Sequence, residues 1–429
     1  MGDRRDGSTI MLKTSSIEEN LRAAVGSQNL RAATVGDFVC GVRSQFVAEP
    51  ENEEQLAALL SCANEAGVGV VPRGRGSKLD WGNPPKRADV ILSTARLNRV
   101  LEHAWADLTV TAQSGCTVQA LQNTLVQHGQ RLACDCLWPE RATIGGLLST
   151  NDSGALRLRF GALRDLIIGV TLALPDGTLA SSGGKVVKNV AGYDLPKLVT
   201  GALGTLGVIT RAVFRVHPLP HNTRTHSFST ENWQTMQAHI LSIQDSKLAH
   251  AALQIRCAAS GQPSADIRFE ATEAGISAQE SQLRNLLGST CAEQVPESVW
   301  KARQELCGWT DSAVIAKISV LPAGIATMAG DLEKIANSQK LQWQLVVQAT
   351  GVGALRLDGE SNSLSAAVEQ LRSDVEGHGG SVVLLRRPKA LVLLDAWGNP
   401  GDALPLMRAV KRHLDPKSTL NPGRFVGGI

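Results

Sequence analysis

The sequence predicts an α+β protein with two sheet-containing domains, and three observations carry that reading. A strand–helix–strand unit opens the ordered pattern between Phe46 and Val71. Glycine-rich clusters recur through the first half and return at the C-terminus. Beyond about residue 221, helix-like and strand-like stretches alternate, as suits a largely antiparallel sheet. At about 150 residues per domain, 429 residues allow two or three domains.

Composition narrows the function classes. Hydrophobic residues make up 43% and charged residues 19%, which excludes a disordered or low-complexity chain. Residues 1–219 carry 23 basic and 20 acidic side chains, and the remainder carries 20 of each. Neither half is basic enough to expect nucleic acid as a partner. No run of about 18 apolar residues suggests a membrane span. The N-terminal Met-Gly-Asp-Arg-Arg-Asp lacks an apolar signal core, so a cytoplasmic location is expected. Eight cysteines are scattered at 40, 62, 116, 134, 136, 257, 291 and 307, with no Cys-x-x-Cys run. That pattern argues against a disulfide framework, a ferredoxin-type cluster and a metal site. The close pair Cys134 and Cys136 is expected to be two buried thiols, or one buried and one exposed.

The elements follow in order. Residues 1–40 read as an N-terminal helix and lead-in. After a short strand end at Val47–Pro50, Asn52 suits a helix N-cap, with Gln55 three residues on. Leu56, Leu59, Leu60 and Ala63 then form one apolar stripe, and Gly67 ends the helix. Strands are expected at Val68–Val71, Val90–Leu92 and Leu108–Ala112. A helix capped by Thr117 follows, with Val118, Leu121 and Leu125 on one face. Leu166–Leu174 and Thr178–Ser181 read as a hairpin about Pro175-Asp176-Gly177. Val208–Val216 is the last strand before Pro218 and Pro220, and a polar linker is expected from there to about Thr230. Helices are then expected at Trp233–Ile243, Ala278–Leu287, Gly324–Ser338 and Ser363–Gly377. Strands are expected at Ala252–Arg256, Ile267–Glu270, Ala313–Val320, Gln342–Gln348, Val352–Arg356 and Ser381–Leu385. Pro405–Leu414 reads as the final helix.

Four glycine clusters carry the chemical signal. Pro72-Arg73-Gly74-Arg75-Gly76-Ser77-Lys78 directly follows a strand, where glycine lets backbone N–H groups approach a phosphate. Thr143-Ile144-Gly145-Gly146, with Ser149, Asn151 and Gly154 following, offers many donors in what reads as a loop. Lys185–Leu195 leads into glycines at 201, 204 and 207, a spacing a helix tolerates poorly. The tail carries Asn421-Pro422-Gly423-Arg424. Taken singly, each cluster suits a structural turn as well as a binding loop.

Their order and content resemble the vanillyl-alcohol-oxidase-type (PCMH-type) FAD-binding flavoproteins, most closely the branch that supplies the E-type FAD subunit of bacterial glycolate oxidase (glycolate dehydrogenase). The resemblance is strong over residues 45–220 and good over the last dozen. It implies a PCMH-type two-subdomain FAD-binding domain over residues 41–220, a second α+β domain of the FAD-linked oxidase C-terminal type over 221–404, and a segment at 405–429 that returns to the flavin. On that resemblance, Pro72, Arg73, Gly74, Arg75, Gly76, Ser77 and Lys78 would cradle the FAD pyrophosphate. Thr143, Gly145, Gly146, Ser149 and Asn151 would line the diphosphate and flavin, and Gly154, Ala155 and Gly161 would continue that wall. Ile209 would lie at the adenine end, with Asn421 and Arg424 returning from the tail. Many relatives attach FAD covalently through a His in the first glycine loop. This loop has none, so FAD is expected to be non-covalent.

The substrate machinery is not recognisable. Oxidising a 2-hydroxy acid takes a base, a cation for the carboxylate and a hydride acceptor. The His-x-x-Gly-Asp-Gly-Asn-x-His run of catalytic relatives is missing, and catalytic residues stay unassigned. Arg256, Arg386 and Arg387 are the cations considered for the carboxylate, each expected to be a surface or strand-end residue. The expectation is an FAD subunit acting on glycolate beside a second FAD subunit and an iron–sulfur subunit. The alternatives are an autonomous dehydrogenase for D-lactate or another 2-hydroxy acid, and a non-catalytic assembly subunit.

Overall fold

A computed structural model describes residues 17–184, 193–308 and 310–429. Residues 17–25 form α1. The first sheet is built from β1 (Leu30–Ala32), β2 (Phe46–Ala48), β3 (Val70–Arg73) and β4 (Val90–Ser93), with α2 (Glu53–Ala66) connecting β2 to β3. Its order is β1-β2-β4-β3. β4 pairs parallel with both β2 and β3, as the strand–helix–strand pattern requires. The Asn52 side chain accepts the Gln55 N–H, the apolar stripe is buried, and Gly67 closes α2 at φ +69°. β1 corrects the expected helical lead-in. Three residues are too short to show alternation, and pairing with β2 defines the strand.

The second sheet draws on β5 (Val100–Ala104), β6 (Thr109–Gln113), β8 (Ile167–Ala173), β9 (Leu179–Gly183) and β10 (Val208–Arg215). It is antiparallel in the order β5-β6-β10-β8-β9. Between its strands lie α3 (Val118–Val126), β7 (Gln130–Arg131), α4 (Ile144–Thr150), α5 (Arg157–Phe160), α6 (Leu163–Leu166) and α7 (Leu195–Val199). The second glycine cluster is therefore helix rather than loop. Thr143 caps α4 by accepting the Gly146 N–H, and Ile144, Leu147 and Leu148 bury its inner face. The stretch Lys185–Gly192 lies outside the described residues.

The stretch expected as a polar linker is mostly strand. β11 (His217–Pro218) pairs with β7, and β12 (Asn222–Ser229) runs fully paired along β14 (Ser264–Ala271). Buried Thr225, His226 and Phe228 seat β12 in the second domain despite its polar sequence. β13 (His250–Ala258), β15 (Glu293–Val295), β16 (Ala313–Ser319), β17 (Gln342–Gln348), β18 (Val352–Asp358) and β19 (Ser381–Arg386) complete an eight-stranded sheet ordered β15-β12-β14-β13-β17-β18-β16-β19. Every pair in it is antiparallel.

The two faces of this sheet have different partners. Helices α8 (Trp233–Asp245), α9 (Glu273–Leu287), α11 (Ile325–Gln339) and α12 (Ser361–Gly377) cover one face and bury Val314, Ala316 and Ile318 of β16. On the other face, Ala313, Ile315, Val346, Ala354 and Leu385 pack against Trp81 and Leu137 of the first domain, beside the short α10 (Ala302–Leu306). Side chains alternate along a strand, so Lys317 shares the face of Ala313 and Ile315 and points into the seam between domains. After α13 (Leu404–Leu414), the tail returns to the first sheet. Val70 N donates to Thr419 O at 2.7 Å and Asn421 N to Val70 O at 2.9 Å, so Leu420 extends the open edge of β3 as a parallel bridge.

Among the described residues no helix is long and apolar enough to cross a membrane. All eight cysteines are free; Cys134 and Cys136 are both partly buried, neither fully buried nor exposed.

Candidate functional site: a cofactor cleft and the seam beside it

The loop after β3 leaves a row of amide donors open. Arg73 O accepts from Thr94 N at 2.9 Å, which anchors the loop at its start. Among the described residues, the N–H groups of Gly74, Arg75, Gly76, Ser77 and Lys78 then donate to no protein acceptor. Such a row of free donors is an anion-binding concavity. Gly74 sits hard against the cap of α4, where an added Cβ would stand 2.1 Å from Thr143 Oγ1. Only glycine permits that approach.

Loop, α4, the glycine turns and the tail enclose one cleft of about 710 Å³ free of protein atoms. Its walls include Pro72, Arg73, Gly74, Arg75, Gly76, Ser77 and Lys78. They also include Thr143, Gly145, Gly146, Ser149, Ile209, Asn421 and Arg424. The structure thus gathers fourteen of the eighteen residues singled out from sequence around one space.

Their charges are not interchangeable. Arg75 is exposed and forms no ion pair among the described residues. Arg73 is held by Asp37 at 2.9 Å, and Asp37 also binds Arg31 at 2.7 Å. The hydrogen bond from Arg31 keeps the Asp37 carboxyl well below the usual carboxylate range. Arg424 is buried, and its guanidinium donates to Trp81 O at 2.7 Å. Burial lowers its pKa, and its Nε has no partner. Ser114 Oγ, also on the cleft wall, is likewise buried and unpartnered. Free amides, an unpaired arginine and orphaned donors suit a dinucleotide diphosphate and its flanking rings.

The remaining four residues lie outside this cleft. Asn151 takes a left-handed conformation at φ +48° and faces the seam between domains. Gly154 N donates to Asp135 Oδ1 at 2.9 Å, and a Cβ there would stand 2.4 Å from the same carboxylate. Ala155 packs on Ala251 and Ala252 of the second domain. Gly161, at φ +84°, turns the chain against the Asp165 carboxylate. Of the expected flavin wall at 154, 155 and 161, Ala155 packs on the second domain, while Gly154 and Gly161 sit against first-domain carboxylates. Small residues serve close packing of two domains as well as close approach of a ligand.

Ion pairs cross the seam at Arg131–Glu270 and Arg386–Asp80, and a buried carboxylate gathers two cations there. Asp152 binds Lys78 Nζ at 3.0 Å and Arg303 Nη1 at 2.8 Å and accepts Leu137 N at 2.8 Å. Burial alone would raise its pKa, but Arg303 and Lys78 hold it well below the usual range. Arg303 also reaches Asp135 O at 2.8 Å, tying α10 to the first domain. The Lys78 side chain is thus committed to the seam, and only its backbone serves the cleft.

Beside this pin lies a second cavity, about 960 Å³ free of protein atoms, walled by Thr150, Asn151, Arg157, Leu203, Lys317 and Trp397 among others. Thr150 and Leu203 line the cleft as well, so the two spaces share a wall. Lys317 and Arg157 were missed from sequence. The signal for Lys317 was a single charge within the apolar run Ala313–Val320. The cations considered for a carboxylate are occupied elsewhere. Arg256 pairs with Asp266 at 2.6 Å and Arg386 with Asp80 at 2.6 Å. Arg387 donates to the carbonyls of Gly82 and Val392. Tyr193 is 90% exposed.

Comparison with known proteins identifies this architecture. An FAD binding domain family model matches residues 44–183, and one for the C-terminal domain of FAD linked oxidases matches residues 396–425. The fold is that of the PCMH-type FAD-linked oxidases, an FAD-binding domain joined to a C-terminal domain of the FAD-linked oxidase type. The chain's cofactor is FAD, and the cleft above fits that group. It is 29% identical over 249 residues to glycolate oxidase subunit GlcD of Bacillus subtilis (strain 168), covering 56% of this chain and 53% of that subunit. The chain thus spans about half the length of that relative. It is 26% identical to D-2-hydroxyglutarate dehydrogenase of Xanthomonas citri pv. viticola, over 88% of both chains. Among solved structures, p-cresol methylhydroxylase superposes with a TM-score of 0.77 at 13% identity, covering 96% of each chain. That likeness concerns the fold.

Proposed function

We propose that this chain is the FAD-binding subunit of a glycolate oxidase-type complex, taking part in the oxidation of glycolate to glyoxylate. The observation that carries the reading is the row of free amides from Gly74 to Lys78 facing α4 and the tail across one cleft. Bound there without a covalent link, FAD supplies a two-electron acceptor for a CH–OH group. Electrons then leave to partner chains, a second FAD subunit and an iron–sulfur subunit.

The visible spectrum of the purified chain, recorded anaerobically before and after glycolate, tests this. Flavin bands support the reading, and a colourless chain after expression with ample FAD overturns it. Co-purification with an iron–sulfur chain is the expected result from its own cell. A second reading, an autonomous dehydrogenase for D-lactate or another 2-hydroxy acid, is favoured by the alignment with D-2-hydroxyglutarate dehydrogenase over 88% of both chains. Full turnover with a soluble electron acceptor by the 45.5 kDa chain alone would select it.

A further inference from the structure

We propose that the seam cavity is a 2-hydroxy acid site belonging to this chain, in which Arg157 holds the carboxylate and Lys317 takes the hydroxyl proton. The inference rests on the reading that the neighbouring cleft, which shares the wall of Thr150 and Leu203 with this cavity, binds FAD.

The lining of the cavity is cationic, with Asp165 and Asp135 acting on Arg157 and Asp152 on Lys317 from outside its walls. Lys317 and Arg157 both line it, and no Asp or Glu does. Among the described residues neither side chain makes a hydrogen bond or ion pair. The carboxylate nearest in function, Asp152, has both oxygens engaged, one by Lys78 and one by Arg303. Acceptors and hydroxyls wait unpartnered in the adjoining part of the seam, which Lys317 and Asn151 also line. Asn151 Oδ1, Ser153 Oγ and Gln348 Oε1 are buried there with no partner. Buried polar atoms are rarely left unsatisfied, and two unpaired cations beside three such atoms describe a hole shaped for a small, hydroxylated anion.

The roles divide by chemistry. A guanidinium stays protonated and grips a carboxylate with two N–H groups. A lysine amine sheds its proton when it is desolvated among like charges. The groups facing Lys317 are Arg157 from α5, Arg303 and Cys307 from α10 and its end, and Asp152 from the α4–α5 connection. Its neighbours across the sheet, Ala354 on β18 and Val383 on β19, carry no charge. Burial lowers the Lys317 pKa, with Arg157 and Arg303 adding to that and Asp152 opposing it. The Cys307 thiol is pushed up to about 11 by burial and stays protonated. In the step, Lys317 Nζ would accept the substrate O–H proton and become an ammonium, while the C2 hydrogen would leave as hydride to the oxidised flavin, which supplies the two-electron acceptor, so that the C2=O bond of the 2-oxo acid forms.

Calorimetry with oxalate, a non-oxidisable dianion, reads the carboxylate grip without turnover. R157Q is expected to weaken oxalate at least about 10-fold, with R157K recovering part of the loss. K317Q is expected to hold oxalate within about 3-fold yet slow anaerobic flavin bleaching by glycolate, D-lactate or D-2-hydroxyglutarate about 10²- to 10⁴-fold. Added methylamine restores part of that rate, which a purely structural role of Lys317 would not allow, and flavin content checks that each variant folds. The wild-type bleaching rate is expected to rise with pH toward a plateau below the ordinary lysine range. Wild-type oxalate binding by R157Q, wild-type bleaching by K317Q, or a flavin-loaded chain that no 2-hydroxy acid bleaches overturns the inference and leaves the cofactor reading standing. A chain without flavin overturns the cofactor reading instead, and oxalate calorimetry on that colourless chain still decides the anion site.

Discussion

The cofactor cleft is walled chiefly by backbone. From Gly74 to Lys78 it offers amide groups in sequence, and glycines bring that loop onto the cap of α4. The seam cavity is walled by side chains, with Arg157 from one domain and Lys317 from the other. The first surface suits a generic feature of dinucleotides, their phosphates. The second is set by a few side chains, whose identity decides what it suits.

The sharpest way to break the comparison is to unpin the seam. Asp152→Asn leaves Lys78 and Arg303 buried against a neutral amide. A loss of about 3–5 kcal/mol is expected, read as a lowered urea midpoint for the whole chain. Gly74→Ala attacks the other region. Its Cβ would overlap Thr143 Oγ1, with a strain of about 1–3 kcal/mol; equilibrium dialysis is expected to show FAD released while the second domain stays folded by circular dichroism. Retained FAD affinity would show that the loop is a spacer.

Acid sharpens the contrast further. The Asp152 carboxyl is depressed in the folded chain, so its contribution is complete above the unfolded value of about 3.9 and is lost as pH falls through the folded value. Urea midpoints below about pH 4 should therefore fall more steeply in the wild type than in Asp152→Asn. The smallest effect is expected at Tyr193→Phe. That ring is exposed, and the change should stay within about 0.5 kcal/mol in thermal melts.

Periodicity made much of the fold legible. Gln342–Gln348 appears as a strand with the expected ends, and the helix expected at Ser363–Gly377 begins only two residues earlier. β12 was missed because its polar residues face outward along a sheet edge region, while three buried positions suffice to hold it. α4 was read as a loop because paired glycines argue against a helix, yet the Thr143 cap and three buried aliphatics outweigh them. The cleft residues were legible because glycine and phosphate chemistry is local in sequence. The seam was not, since Lys78, Asp152 and Arg303 meet only in three dimensions. Gly154 and Gly161 show the cost of that locality, as the same residue type serves a ligand wall and a close approach to a neighbouring carboxylate.

The tail places a condition on how the protein is made. Leu420 extends the edge of β3, Asn421 Nδ2 donates to Leu203 O, and Lys411 Nζ, buried beside Asp415, reaches Thr205 O at 2.8 Å. The strand that begins the cleft is thus finished by residues synthesised some 350 positions later. The cleft is therefore complete only when Asn421 and Arg424 are docked opposite the first glycine loop, so changes in the tail reach the cofactor space without touching that loop.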